Sequence, residues 1–195
     1  MDKSNGYEGI APFFIKTRGQ ALNGIGTSSV LNWARTLPVN ATVLDLGCGT
    51  GIPISKILMD EGMRVYGIDA SSTMIKAFQE NFPTTIVACE SIEDSCFFNR
   101  TFDAIIAWGV FFLLSQTAQA KLIQKVAAAL PPGGQLLFTS PRMPVEWMDA
   151  MTGQRSVSLG ADKYKELLSI WGFSTLEEFM DEGENYYYSA VKADK

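Results

Sequence analysis

Residues 43 to 54 read VLDLGCGTGIPI and place Gly47, Gly49 and Gly51 alternately, directly after a short apolar run. Glycine loses more conformational freedom on folding than any other residue, so three of them in five positions call for a purpose. A loop without side chains lets main-chain N–H groups, and the start of a following helix, lie directly against a ligand. The surrounding residues narrow the ligand. A dinucleotide fingerprint GxGxxG would need a glycine where Ile52 stands, and a phosphate-cradling loop would close on Gly-Lys-Ser/Thr, which is absent. Asp45 stands two residues ahead of Gly47, where a carboxylate repels phosphate and suits a cationic amino group.

A second carboxylate, Asp69, stands with Ala70 at the end of the next apolar run, about 18 residues past Gly51. That is close to the roughly 20-residue offset at which an acidic side chain accepts ribose hydroxyls. A nucleoside without a pyrophosphate fits both acids. Glu90 and Ser91 end a third apolar run, where they can face the amino edge of a base while the Ile92 N–H reaches a ring nitrogen. Glu90 reads equally as a solvated strand-end charge. Trp108 and Gly109 end a fourth run, where the indole either lines the ligand cleft or joins the core.

These residues need a scaffold that brings strand ends together. After Pro38 the chain alternates apolar strands with amphipathic helical stretches. The strands read 41–46, 63–68, 84–89, 102–108 and 135–140, and the helices follow the first, second and fourth of these. Ser71 is the expected N-cap of the helix over 71–82, Gly62 a helix stop, and Pro131-Pro132-Gly133-Gly134 ends the helix over 115–130. A last helix over 161–173 precedes two strands joined by a turn at Asp181-Glu182-Gly183-Glu184. The pattern is α/β: a doubly wound, mostly parallel seven-stranded sheet closed by an antiparallel terminal strand. Residues 1–195 are expected to form a single domain, with 39–142 as cofactor-binding core and 1–37 as a helical N-terminal lid that includes a helix over 28–37. No internal repeat, low-complexity tract or linker interrupts it.

The 195 residues carry a net charge of −5 and no dense Lys/Arg run, so no nucleic acid or anionic membrane surface is expected as partner, and small molecules are. No apolar run approaches a bilayer's thickness, and the N-terminus lacks a signal peptide's pattern, which points to a cytoplasmic protein. Cys48, Cys89 and Cys96 have no paired-ligand spacing and read as core thiols, with no metal site expected. The chain has no histidine, so any chemistry manages without the commonest general base.

Taken in order, VLDLGCGTG, GIDAS (67–71), CESIED (89–94), FDAIIAWG (102–109) and LPPGGQLLFTSPR (130–142) resemble the ordered motifs of the class I S-adenosylmethionine-dependent methyltransferases. The resemblance covers about residues 39–142 and implies their Rossmann-like fold and S-adenosyl-L-methionine as cofactor. It places Gly47, Gly49 and Gly51 beside the methionine portion, Asp45 at its amino group, Asp69 at the ribose, and Ser91 with Ile92 at the adenine. It carries over no catalytic residue, because the family shares none. The expected activity is methyl transfer to a small-molecule nucleophile. The alternatives are a non-enzymatic sensor of the same cofactor and transfer of another group from it.

Acceptor-side candidates come from the loops after the fourth and fifth strands: Phe111, Phe112, Arg142, Trp147, Met151 and Arg155. Arg18 is a candidate for the cofactor's carboxylate, and Tyr7 and the run Tyr186 to Tyr188 for an aromatic pocket. Alternation along a strand puts only half of that run on either face.

Overall fold

A computed structural model of the chain describes residues 2–19 and 24–194, apart from the side chain of Thr175. The expected lid's residues 1 and 20–23 lie outside the described residues. Strand β1 (Thr42–Leu46) is buried along its whole length, Asp45 included, as a central parallel strand covered on both faces must be. It pairs in parallel with β2 (Arg64–Asp69) on one side and β4 (Ala104–Ala107) on the other. With β3 (Ile86–Cys89), β5 (Gln135–Thr139), β8 (Phe173–Met180) and β9 (Tyr186–Lys192), the sheet order is β3-β2-β1-β4-β5-β9-β8. Only β9 runs against the rest, antiparallel to both β5 and β8. The order reverses between β1 and β4, and the crevice beyond their C-terminal ends is where such sheets hold ligands.

Alternate residues of each strand feed two cores. Leu44, Leu46, Ile105, Phe138 and Tyr188 pack under helices α5 (Gln116–Ala129) and α6 (Ala161–Ile170). Val43, Val65, Ile106, Leu137 and Tyr187 pack under α2 (Thr27–Ala34) and α3 (Ile54–Asp60). Helix α4 (Ser72–Asn81) is capped by Ser71, whose Oγ accepts the Met74 N–H, and it packs Ile75 and Phe78 against Cys48.

Three features depart from the sequence reading. The N-terminal region holds a further helix, α1 (Tyr7–Thr17), whose pattern is blurred by Gly9 and Pro12. A two-stranded hairpin, β6 (Val145–Met148) with β7 (Arg155–Ser158), fills the stretch after β5 that reads only as loop. Of the expected core thiols, Cys48 is buried whereas Cys89 and Cys96 are exposed, because β3 is an edge strand and Cys96 follows it in a surface turn.

A buried polar cluster ties the hairpin to the domain. The Tyr164 hydroxyl donates to Gln119 Oε1 at 2.6 Å, accepts the Leu159 N–H at 3.2 Å and sits 2.8 Å from Ser140 Oγ. Gln119 Nε2 in turn donates to the Val157 carbonyl at 2.8 Å. Tyr164→Phe strands Gln119 Oε1 in the core, and we expect it to lower stability by about 1–3 kcal/mol, read as a lower urea midpoint at unchanged slope.

Candidate active site

A cleft of about 550 Å³ opens at the C-terminal ends of β1, β2 and β4. Its floor is the loop after β1. Gly47 and Cys48 donate their N–H groups to the Ile68 carbonyl at 2.8 and 3.0 Å, and the Gly49 N–H goes to Asp69 Oδ2 at 2.9 Å. The three glycines share left-handed backbone, at φ of 72, 53 and 80°, but differ in what a side chain would meet. A Cβ on Gly47 would lie 2.8 Å from Val110, and one on Gly51 2.7 and 2.8 Å from Phe82 and Phe78. A Cβ on Gly49 would meet nothing within 4 Å and would stand in the cleft. Gly51 therefore serves the packing of α4, and it does not line the cleft. Gly49 is the bare stretch.

Asp45 lies fully buried beneath the loop, and its Oδ2 accepts a 2.6 Å bond from Ser55 Oγ. Burial, reinforced by the neighbouring Asp69 charge and only partly offset by Ser55, pushes its pKa up to about 7. Asp69 is raised too, by burial first, although the N–H groups of Ser71 (2.8 Å) and Gly49 both bond its carboxylate. Among the described residues neither acid forms an ion pair with a lysine or arginine. A buried and a half-buried carboxylate without a paired cation make a site that favours positive charge.

Ala70, Ser91 and Ile92 line the cleft beyond these acids. Glu90 does not: its carboxylate turns aside to accept the Ser95 hydroxyl at 2.6 Å, and Glu93 lines the cleft in its place. On the opposite wall, Trp108 Nε1 donates to the Tyr187 hydroxyl at 2.7 Å, which donates to Asp181 Oδ2 at 2.9 Å, so the indole is held at the cleft by a chain of hydrogen bonds. Gly109, at φ 72° with open space where a Cβ would be, donates its N–H to Thr139 Oγ1 at 2.8 Å.

Helix α1 brings Tyr7 and Arg18 to the cleft. The Tyr7 hydroxyl lies 3.4 Å from Asp149 Oδ2, and burial with that carboxylate pushes its pKa up to about 12. Of the acceptor-side candidates, Phe112 lines the cleft. Phe111 instead stacks on Phe138 at 4.2 Å in the core, and Trp147 packs behind Phe112 at 5.4 Å. Arg142 is exposed outside the cleft, Arg155 pairs with Glu146 on the hairpin surface, and Met151 sits in the hairpin turn. Tyr186, Tyr187 and Tyr188 do not line the cleft; Tyr187 acts only through Trp108.

Besides Glu93 and residues before and within α1 such as Asn5 and Phe14, the residues that the sequence reading missed include some from the β8–β9 turn and the segment before α2. Asn185 and Gly183 line the cleft from a turn that Asp181 organises by accepting the N–H groups of both, each at 2.9 Å. Ile25 packs so closely that a Cβ on Gly183 would lie 2.1 Å from it. The Asp-x-Gly spacing of that turn was the available signal, and it marks a turn without saying what the turn faces.

Comparison with known proteins bears on this geometry. A family model described as a methyltransferase domain matches residues 43–134. Residues 43–134 are thus similar to a methyltransferase domain, in line with the ordered motifs that resemble the class I S-adenosylmethionine-dependent methyltransferases. The cypemycin N-terminal methyltransferase of a Streptomyces species is 32% identical over 160 residues, 72% of this chain and 64% of that protein. A tRNA U34 carboxymethyltransferase of Pseudoalteromonas translucida is 24% identical over 152 residues, 71% of this chain and 43% of that protein. The chain thus spans less than two thirds of the length of either relative. The solved structure of the CcbJ methyltransferase from Streptomyces caelestis superposes with a TM-score of 0.79 at 15% identity, covering 100% of both chains, which establishes the shared fold.

Two outcomes test the loop after β1. Gly51→Ala should destabilise the protein by about 2–4 kcal/mol in chemical denaturation, combining left-handed strain with overpacking against Phe78 and Phe82. Gly49→Ala should cost only the backbone strain, about 1–2 kcal/mol. The buried acid makes a pH prediction. Because Asp45 has a higher pKa folded than its ordinary 3.8, its contribution to ligand-free stability is fully present below about pH 4 and lost as pH rises to about 7. Asp45→Asn should therefore gain on the parent protein between pH 4 and 8 by on the order of 2–4 kcal/mol, measured as the difference between their unfolding free energies.

Proposed function

We propose that this chain is an S-adenosylmethionine-dependent enzyme that methylates a small-molecule nucleophile. The observation that carries the reading is the pair of carboxylates beneath the open face of Gly49, Asp45 fully buried and Asp69 half-buried, neither of them ion-paired among the described residues. Such a floor rejects a pyrophosphate and suits a ligand that is cationic at one end and carries hydroxyls at the other. Asp45 would hold the amino group, Arg18 the carboxylate, Asp69 the ribose hydroxyls, and Ser91 with Ile92 the adenine. When bound, the cofactor supplies an electrophilic methyl group on a positively charged sulfur.

The chain's own work is then alignment and exclusion of water. Tyr7, Trp108 and Phe112 wall the space beyond the acids, and Trp108 is fixed by Tyr187 and Asp181. With its pKa near 12, Tyr7 keeps its proton at neutral pH and acts as a donor rather than a base. An acceptor therefore needs to be nucleophilic on arrival, as a neutral amine, thiolate or phenolate. The walled cleft and net charge of −5 support a small acceptor over a phosphate backbone. The exposed, unpaired Cys89 and Cys96 support a reducing, cytoplasmic setting, and no helix among the described residues is long and apolar enough to cross a membrane. Residues 1–37 would serve as lid to the 39–142 core within one domain.

Calorimetry against S-adenosylhomocysteine, NAD and ATP tests the cofactor, and transfer of labelled methyl to amines, phenols, thiols and bulk tRNA tests the acceptor. We expect binding of S-adenosylhomocysteine alone, weakened about 10- to 100-fold by Asp69→Ala through loss of charge-assisted hydrogen bonds, and label on a small molecule. Uptake of NAD or ATP instead, or label found on tRNA only, contradicts the reading.

A further inference from the structure

Residues 3–8 cross the mouth of the cleft and touch three of its walls. Lys3 Nζ lies 3.4 Å from Asp94 Oδ2 and 3.9 Å from Glu93 Oε2, on the loop after β3. Gly6, at φ 86°, lies against the hairpin turn so closely that a Cβ would stand 3.0 and 3.1 Å from Gln154 and Thr152. Next to it, Tyr7 reaches Asp149 of the same turn. Glu8 then grips the start of α4: its carboxylate accepts the hydroxyls of Ser71, Ser72 (3.0 Å) and Thr73 (2.8 Å) and the Thr73 N–H (3.2 Å).

These contacts are unequal. The Lys3 pairs are half exposed and long, and such pairs contribute little. The Tyr7 contact is long as well. Glu8 has four donors and sits at a helix N-terminus, where the helix dipole favours a carboxylate. Its Ser71 partner is fully buried and has a second role, donating its own N–H to Asp69 Oδ1 at 2.8 Å. One serine thus joins Glu8 of the crossing segment to Asp69 of the cleft. The closed arrangement is also incomplete, because Asn5 Nδ2, on a residue that lines the cleft, is buried without a hydrogen-bond partner. A buried donor of this kind is normally satisfied, and a ligand in the cleft can supply the acceptor.

We propose that Glu8 is a positioning residue: it latches residues 3–8 onto the N-terminus of α4, holds Asp69 in place through Ser71, and must let go for the cofactor to exchange. The inference rests on the function proposed above for what the cleft binds, but the latch itself exists without ligand. Because coupling is reciprocal, a latch that slows ligand loss is also tightened by the ligand.

The test uses the full chain with Glu8→Ala, Glu8→Gln and Lys3→Ala, in two measurements. Hydrogen exchange of the Thr73 amide in ligand-free protein reads the latch, and stopped-flow dissociation of S-adenosylhomocysteine reads its coupling to the cleft. Glu8→Ala should speed both by about tenfold, Glu8→Gln should restore part of each, and Lys3→Ala should change dissociation less than twofold. Unchanged exchange in Glu8→Ala refutes the latch, and faster exchange with unchanged dissociation refutes the coupling. An equal effect from Lys3→Ala refutes the assignment to Glu8. Should the parent protein bind no S-adenosylhomocysteine, the proposed function and the coupling fall together, while the exchange measurement still decides the latch.

Discussion

Burial of a carboxylate without a counter-charge is the constraint from which the site follows. Asp45 is placed in a strand buried along its whole length, and on the neighbouring strand Asp69 ends β2 just past the partner of Leu46. Water is excluded from Asp45, Asp69 is half-buried at the cleft, and no lysine or arginine among the described residues forms an ion pair with either. The folded protein therefore carries an electrostatic cost that a cationic ligand relieves, and stability is given up at the place where binding gains.

The rest of the architecture keeps that place open on one side only. The reversal of strand order between β1 and β4 parts the loops above Asp45. Val110 and the Phe78–Phe82 pair press on the loop from two sides and hold Gly47 and Gly51 in left-handed backbone, leaving Gly49 as the exposed turn between them. The hydrogen-bonded chain Trp108–Tyr187–Asp181 builds one wall from the antiparallel strand pair, and α1 builds the other. Elements far apart in sequence meet at one floor.

The parallel sheet and its helices were legible because strands buried on both faces read as unbroken apolar runs, and Ser71 and Gly62 punctuate the helices by local chemistry alone. The positions of Asp45, Asp69, Ser91 and Ile92 were legible as strand ends followed by turns. What lies just past a strand end was not. Once the chain leaves the ladder, alternation stops deciding which side chain faces in. Glu90 thus turns to Ser95 and Glu93 takes the cleft, and a short 3₁₀ turn sends Phe111 into the core and Phe112 to the ligand side. The contact of Ile25 with Gly183 spans more than 150 residues, and the local Asp-x-Gly pattern that shapes the turn holding Gly183 and Asn185 does not say what the turn faces. The hairpin of β6 and β7 has strands of four residues each, too short for a period to declare itself.

The claim that the cleft is an anionic seat for the amino cation of a sulfur nucleoside is tested most directly by counting protons during binding. Calorimetry with S-adenosylhomocysteine between pH 6 and 9, in buffers of different ionisation heat, measures that count. Near pH 6–7 the cofactor product keeps its amino cation, so binding there should drive Asp45 to its charged form and release a large fraction of one proton, with the release abolished in Asp45→Asn. Binding that releases no proton near pH 6–7, or the same number in Asp45→Asn, would contradict it.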